Sequence, residues 1–340
     1  GSYTGDKLQI NVGGQSVLLL SGETAQISGS DANQLTISIP DYAVPGETGL
    51  TFTDVKMTTP LFNVFEGTSS NASRDITLSG ELRDGRLTLN LTPTYKSDII
   101  GVWNLNLETD DFGTATLTPI SIETEQDISG SQFIVQILGA LLKGSMAVVN
   151  IDFQADGNLT ATYNSNLLND MMPALSGEQI SPVFVHSPLN AIKWYVKDGA
   201  LYLVPNLNLM LKNDPSKAQL GPLDPGTITT VGIPLYFKKE GDKMTVYVSK
   251  EQTAPVFGLL STVISMIDPS FELSLGGSSL PLRSLLEALV KPLIDAALAA
   301  ERFDLCLNLV AGAIPEEAPQ TSEEASAAAV KRLEAFIAQQ

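Results

Sequence analysis

The first hundred residues carry an apolar side chain at every second position, broken at short intervals by turn chemistry, and a sheet with one buried face satisfies that period. Leu8, Ile10 and Val12 alternate with Lys7, Gln9 and Asn11. Leu35, Ile37 and Ile39 alternate with Thr36 and Ser38, and Leu87, Leu89 and Leu91 with Thr88 and Asn90. Gly13-Gly14, Ser28 to Asp31, Pro45-Gly46 and Asp84-Gly85 break the runs, and the last is a two-residue hairpin of the Asp-Gly kind. No helical period interrupts them. Residues 1–97 are therefore expected to form an antiparallel β-domain, a barrel or a sandwich.

Gly101 to Glu108 restarts the alternation, apolar at Trp103, Leu105 and Leu107, and reads as the first strand of a second β-domain over 98–314. Hairpins are expected at Asp156-Gly157, Asp198-Gly199 and Gly241-Asp242, each flanked by alternating apolar residues. Apolar stretches at helical spacing intervene near 128–142, 255–267 and 280–303 and predict buried inserted and C-terminal helices. In the last of these Arg283, Glu287, Lys291 and Asp295 fall four apart with alternating sign, a narrow solvated ridge. The Pro-rich connection from Pro205 to Pro234 is too long to be a simple turn. Residues 315–340 read as a linker and a terminal amphipathic helix. The fold class expected is mainly β (α+β), two antiparallel barrel or sandwich domains with helices added to the second.

Composition removes several functions. Thirty-eight acidic residues against 20 basic ones give a net charge of −18, which repels phosphate backbones, and no clustered Lys/Arg stripe offsets it. Nucleic acid is not an expected partner. Cys306 and His186 are the only residues of their types, so a single chain can build neither a disulfide nor a Cys/His zinc site. Cys306, between Leu305 and Leu307, reads as a buried small hydrophobe. The longest charge-free stretch near the end, 252–267, is shorter than the roughly 20 residues of a membrane-spanning helix. Gly1 in place of Met reads as a trimmed start, behind which a targeting segment is expected to have been removed.

Candidate chemistry is sparse. No G-x-S-x-G elbow occurs, and a Ser/His arrangement would rest on His186 alone. Asp152 to Asn158 has the outline of a calcium loop, but Gln154 replaces the middle carboxylate and Tyr163 stands where the terminal Glu belongs, so a hairpin explains it better. Asp110-Asp111 with Glu123 and Glu125 could serve as an acid and base pair on a glycan, against the plainer reading of solvated loop acids. Gly276-Gly277-Ser278-Ser279 reads as the cap of a helix from Leu280. No metal, cofactor or catalytic residue is assigned. Four aromatics are the candidate ligand contacts: Trp194 and Trp103, which read first as core, and Tyr195 and Tyr202, which read as surface residues able to stack on a sugar or an apolar ligand.

The opening Tyr3 to Val12 and the closing Gly80 to Leu91 of the first domain resemble the calycin-like β-barrel domain of secreted lipoproteins from gut Bacteroidetes. Gly101-Val102-Trp103 resembles the G-x-W start of lipocalin-like barrels. The resemblance implies a lipid-anchored protein of the periplasm or the outer-membrane surface, without assigned activity, whose removed N-terminus carried the lipidated cysteine. The function expected is non-enzymatic binding of a small apolar or amphipathic ligand in the second domain. Alternatives are a structural protein docking a partner through its terminal helix, and third a glycan hydrolase.

Overall fold

The computed structural model describes residues 1–106 except 18, 20, 21, 33 and 60–62, together with 108–109, 115–117, 119–124, 148–166, 182–206, 225–250, 272–275, 278–281, 283–284, 287–288 and 300–312. The protein is mainly β, a curled sheet followed by a closed eight-stranded antiparallel barrel.

The first sheet comprises β1 (Ser2–Thr4), β2 (Leu8–Val12), β3 (Gln15–Ser16), β4 (Thr24–Ser28), β5 (Leu35–Ser38), β6 (Thr51–Thr59), β7 (Val64–Ser70), β8 (Arg74–Arg83) and β9 (Arg86–Tyr95), in the order β1-β4-β5-β6-β7-β8-β9-β2-β3. β1 pairs with β4 and β2 with β9, yet only the 3-10 turn Gly5–Lys7 separates β1 from β2. The sheet thus curls until its two ends meet in one interrupted stretch. One pairing departs from the antiparallel expectation: β2 runs parallel to β9, placing Leu8, Ile10 and Val12 beside Leu87, Leu89 and Leu91. These, with Ile37, Phe52, Phe65 and Ile76, form a dry core. Asp84 and Gly85 both take positive φ, the geometry of the expected two-residue hairpin.

The second sheet closes through β10 (Gly101–Leu105), β14 (Val148–Phe153), β15 (Asn158–Asn164), β17 (Ile192–Lys197), β18 (Ala200–Pro205), β19 (Ile233–Glu240), β20 (Lys243–Val248) and β23 (Phe303–Ala311), which returns to β10. β11 (Glu108–Thr109) pairs with β12 (Ala115–Leu117), β13 (Ile120–Thr124) extends along the first half of β23, and β16 (Phe184–His186) lies against the second half of β15. A helix α1 (Pro225–Thr230) precedes β19, and β21 (Glu272–Leu275) pairs with β22 (Ser278–Pro281). Every neighbour around the barrel is antiparallel and consecutive in the chain, so the strands run alternately up and down. The turns at 154–157, 198–199 and 241–242 fall at one end. The connections 106–147, 165–191, 206–232 and 249–302 all join strand ends at the other.

Three expectations need correction. β22 takes Leu280 and Pro281 and β23 takes Phe303, so the ends of the stretch expected to be helical over 280–303 are strand instead. Positions 283–284 and 287–288 within it are helical, and Arg283 meets Glu287 at 2.9 Å as the four-residue spacing requires. Gly276-Gly277 lies between β21 and β22, where a Gly-Gly pair has hairpin composition, so Ser278 opens a strand and caps no helix. The 205–234 connection contains α1, with Pro225 in its first turn, where a missing N–H costs nothing. The helices expected near 128–142 and 255–267, and the 315–340 tail, lie outside the described residues, as do Leu107, Asp110, Asp111 and Glu125.

Candidate functional site

Directly paired residues on neighbouring strands point to the same face, so register alone sorts the barrel wall into an inside and an outside. Trp103 pairs with Ile151 and Ile151 with Ala161; Phe153 pairs with Leu159 and Leu159 with Ile192. Trp194 pairs with Leu203, Leu201 with Leu235, Phe237 with Val246, Met244 with Leu309, and Leu309 with Leu105, which closes the circuit. That face is apolar all the way round except at Lys239, which pairs with Met244. The opposite face carries Asn104, Asp152, Thr160, Lys197, Lys238 and Thr245 interleaved with Tyr195, Tyr202, Tyr236 and Tyr247, so the outer wall lacks the continuous apolar band of a membrane-spanning barrel. Among the described residues no helix is long and apolar enough to cross a membrane.

The end with short turns is sealed. Trp103, Phe153, Trp194, Met244 and Leu309 are each at most 3 % exposed and form a floor. Trp194 stands edge-on to Phe153, centroids 5.4 Å apart at 83°, and its indole N–H donates to the carbonyls of Gln154 and Asn158, both at 3.1 Å. The Trp103 indole donates to the Ile99 carbonyl at 2.7 Å. Tyr95, at the end of β9, lies 5.7 Å from Trp194, donates its backbone N–H to Ala155 and its hydroxyl to Pro45. Its ring rests on Gly157, where a Cβ would stand 2.6 Å from a ring carbon. The last strand of the first sheet thus plugs the barrel. Farther up, Ile151, Leu159, Leu203, Leu235, Phe237 and Leu307 face inward and are only half-buried.

The four candidate aromatics do not form one site. Trp103 and Trp194 point inward into the floor, whereas Tyr195 and Tyr202 pair with each other on the outside. Placing Tyr195 on the surface is corrected: it is 3 % exposed, stacked on Tyr202 (4.8 Å, 2°) and covered on its other side by Gly46, where a Cβ would come within 2.6 Å of the ring. Its hydroxyl donates to the Val231 carbonyl at 2.6 Å, and burial pushes its pKa up. The cover comes from the first sheet, a contact that strand alternation does not reveal.

Sequence reasoning also missed the joint that holds this cover. Arg74 is buried in β8, its Nε and Nη2 donating to the two oxygens of Glu47 at 2.8 and 2.7 Å and its Nη1 to Ser69. The Glu47 carboxylate raises the Arg74 pKa. The signal was present: Arg74 falls in phase with the buried Ile76 and Leu78, where a charge needs a buried partner. Pro45, Gly46, Glu47, Arg74, Tyr95 and Tyr195 line a cleft of about 190 Å³ between the two sheets. Lys193 lies at the same junction. Its Nζ is buried without a hydrogen bond among the described residues, 3.5 Å from where a Gly13 Cβ would be, and desolvation lowers its pKa.

The remaining candidates each make a local contact. His186 Nδ1 shares a 2.9 Å hydrogen bond with the Thr162 hydroxyl. Asp152 to Asn158 forms the β14–β15 hairpin, in which Asp156 accepts from the Asn158 backbone and side chain. Glu123 pairs with Arg302 at 3.2 Å. Cys306 is 2 % exposed and burial pushes its thiol pKa up to about 11, the profile of an inert core cysteine. Among the described residues no group of His, Cys, Asp and Glu could hold a metal ion. Compared with protein-family models, curated proteins and solved structures, the chain has no match.

Proposed function

We propose that the barrel is a non-catalytic container for a small apolar or amphipathic ligand. One observation carries the reading: a closed wall whose inward side chains are apolar apart from Lys239, and on which Ile151, Leu159, Leu203, Leu235, Phe237 and Leu307 stay half-buried although Ile233, Val246, Val248 and Phe303 are buried. A core needed for stability alone would bury those side chains as completely as the first sheet buries Ile10 and Phe52. Apolar surface of this kind gains free energy when a ligand takes it out of water. The ligand enters at the end of the barrel opposite the short turns 154–157, 198–199 and 241–242. The resemblance of the two β-units to secreted lipoproteins adds the setting, a lipid-anchored protein of the cell envelope.

Titration with the neutral probe N-phenyl-1-naphthylamine tests it. Saturable one-to-one fluorescence enhancement, with quenching of Trp103 and Trp194, is the expected result. Leu203→Trp, which fills the lumen, should abolish enhancement without altering far-UV circular dichroism. A folded protein that leaves the probe dark overturns the reading.

A further inference from the structure

The first sheet has an opening of its own, apart from the lumen. β1 pairs with β4 and β2 with β3, so the chain that returns from β3 to β4 runs back opposite the 3-10 turn Gly5–Lys7. Among the described residues the strand ladder between these two segments stops at Asn11–Ser16 and resumes at Thr4–Thr24. At this lapse lies a pocket of about 560 Å³, within the range of small-ligand sites. Leu8, Val17 and Leu19 give it apolar walls; Leu8 belongs to the dry core, and Val17 and Leu19 pack against it.

Two charges of opposite sign line the same pocket, Asp6 from the turn and Arg86 from the start of β9. They do not pair with each other. Among the described residues the Asp6 carboxylate has no partner, and Arg86 uses only Nη2, which donates to Gln9 Oε1 at 2.7 Å. An anion placed here would meet one attractive and one repulsive charge, and so would a cation. A ligand that carries both charges meets two partners.

We propose that this pocket binds a short apolar peptide with both termini free, its carboxylate on Arg86, its ammonium on Asp6 and its side chains against Leu8, Val17 and Leu19. The guanidinium donors left over by Gln9 suit a carboxylate, and a lapse in strand pairing suits a peptide backbone.

Isothermal titration of the intact protein with the dipeptide Leu-Leu, its N-acetyl form and its C-terminal amide tests this. Saturable one-to-one binding of Leu-Leu is expected, weaker by about tenfold or more when either terminus is blocked. Arg86→Gln should weaken Leu-Leu and erase its advantage over the amide, and Asp6→Asn should erase its advantage over the N-acetyl form. Both side chains are exposed, and far-UV circular dichroism checks that each variant keeps the fold. No saturable binding of Leu-Leu, equal binding of the blocked forms, or unchanged preferences in the two variants each overturns the proposal. Leu203→Trp, which fills the lumen, should leave Leu-Leu binding intact, so the two readings fail separately.

Discussion

Removing Glu47 should cost the protein far more than removing the residue it serves. The Arg74 side chain is 6 % exposed and that of Glu47 is 18 % exposed, and the guanidinium holds both carboxylate oxygens. Glu47→Leu leaves the guanidinium buried with only Ser69 to satisfy it, a situation that costs about 3–5 kcal/mol. Arg74→Leu leaves a carboxylate nearer the surface that can turn toward water, and about 1–3 kcal/mol is expected. The double variant Glu47→Leu/Arg74→Leu exchanges the pair for apolar volume and should recover to within about 2 kcal/mol of the parent. The double-mutant cycle therefore gives a coupling energy of at least about 2 kcal/mol. Urea unfolding followed by circular dichroism reads the cycle, and near-UV ellipticity reads Tyr195, which lies under the Pro45-Gly46-Glu47 segment. If Glu47→Leu costs less than about 1 kcal/mol, or the two changes add, the pair does not hold the joint.

Other perturbations give distinct signatures. Lys193→Met removes a buried amine without a hydrogen bond and should stabilise by about 1–2 kcal/mol near neutral pH. Because the folded-state pKa is lowered, the parent carries this penalty in full below that value and sheds it as pH rises toward the unfolded value near 10.5, so the advantage shrinks in alkaline melts. Cys306 acts in the opposite sense: its raised pKa contributes stability that is intact below about 9 and lost by about 11, on the order of 2 kcal/mol. Melts of Cys306→Ala across that range should lack this slope. Gly46→Ala combines a φ of +81° with a Cβ that meets the Tyr195 ring. The backbone alone costs about 1–2 kcal/mol, and near-UV ellipticity of Tyr195 should fall with it.

What could be read from the chain follows the range of the interactions involved. The strands at Leu8, Leu35 and Leu87 and the turns at Asp84, Asp156 and Asp198 are local, set by alternation and by residues that accept positive φ. Cys306 and Trp194 were placed in cores by their immediate neighbours. The parallel pairing of β2 with β9 joins residues far apart in sequence, and nothing local encodes it. Tyr195 was misplaced for the same reason, since the segment covering it belongs to the other sheet. β21 and β22 were lost because a short apolar run such as Leu280 to Pro281 satisfies either period. Of the candidate site, the aromatic floor was legible as core, but the closed lumen above it depends on β23 returning to β10.

The container itself is tested most directly by mass. Native mass spectrometry of the protein purified without detergent, followed by denaturing mass spectrometry and solvent extraction of the same sample, asks whether a molecule occupies the barrel. A stoichiometric adduct is expected, lost on denaturation, recovered in the organic phase as an apolar or amphipathic compound, and absent from Leu203→Trp. A single apo mass in protein that also refuses N-phenyl-1-naphthylamine would contradict it.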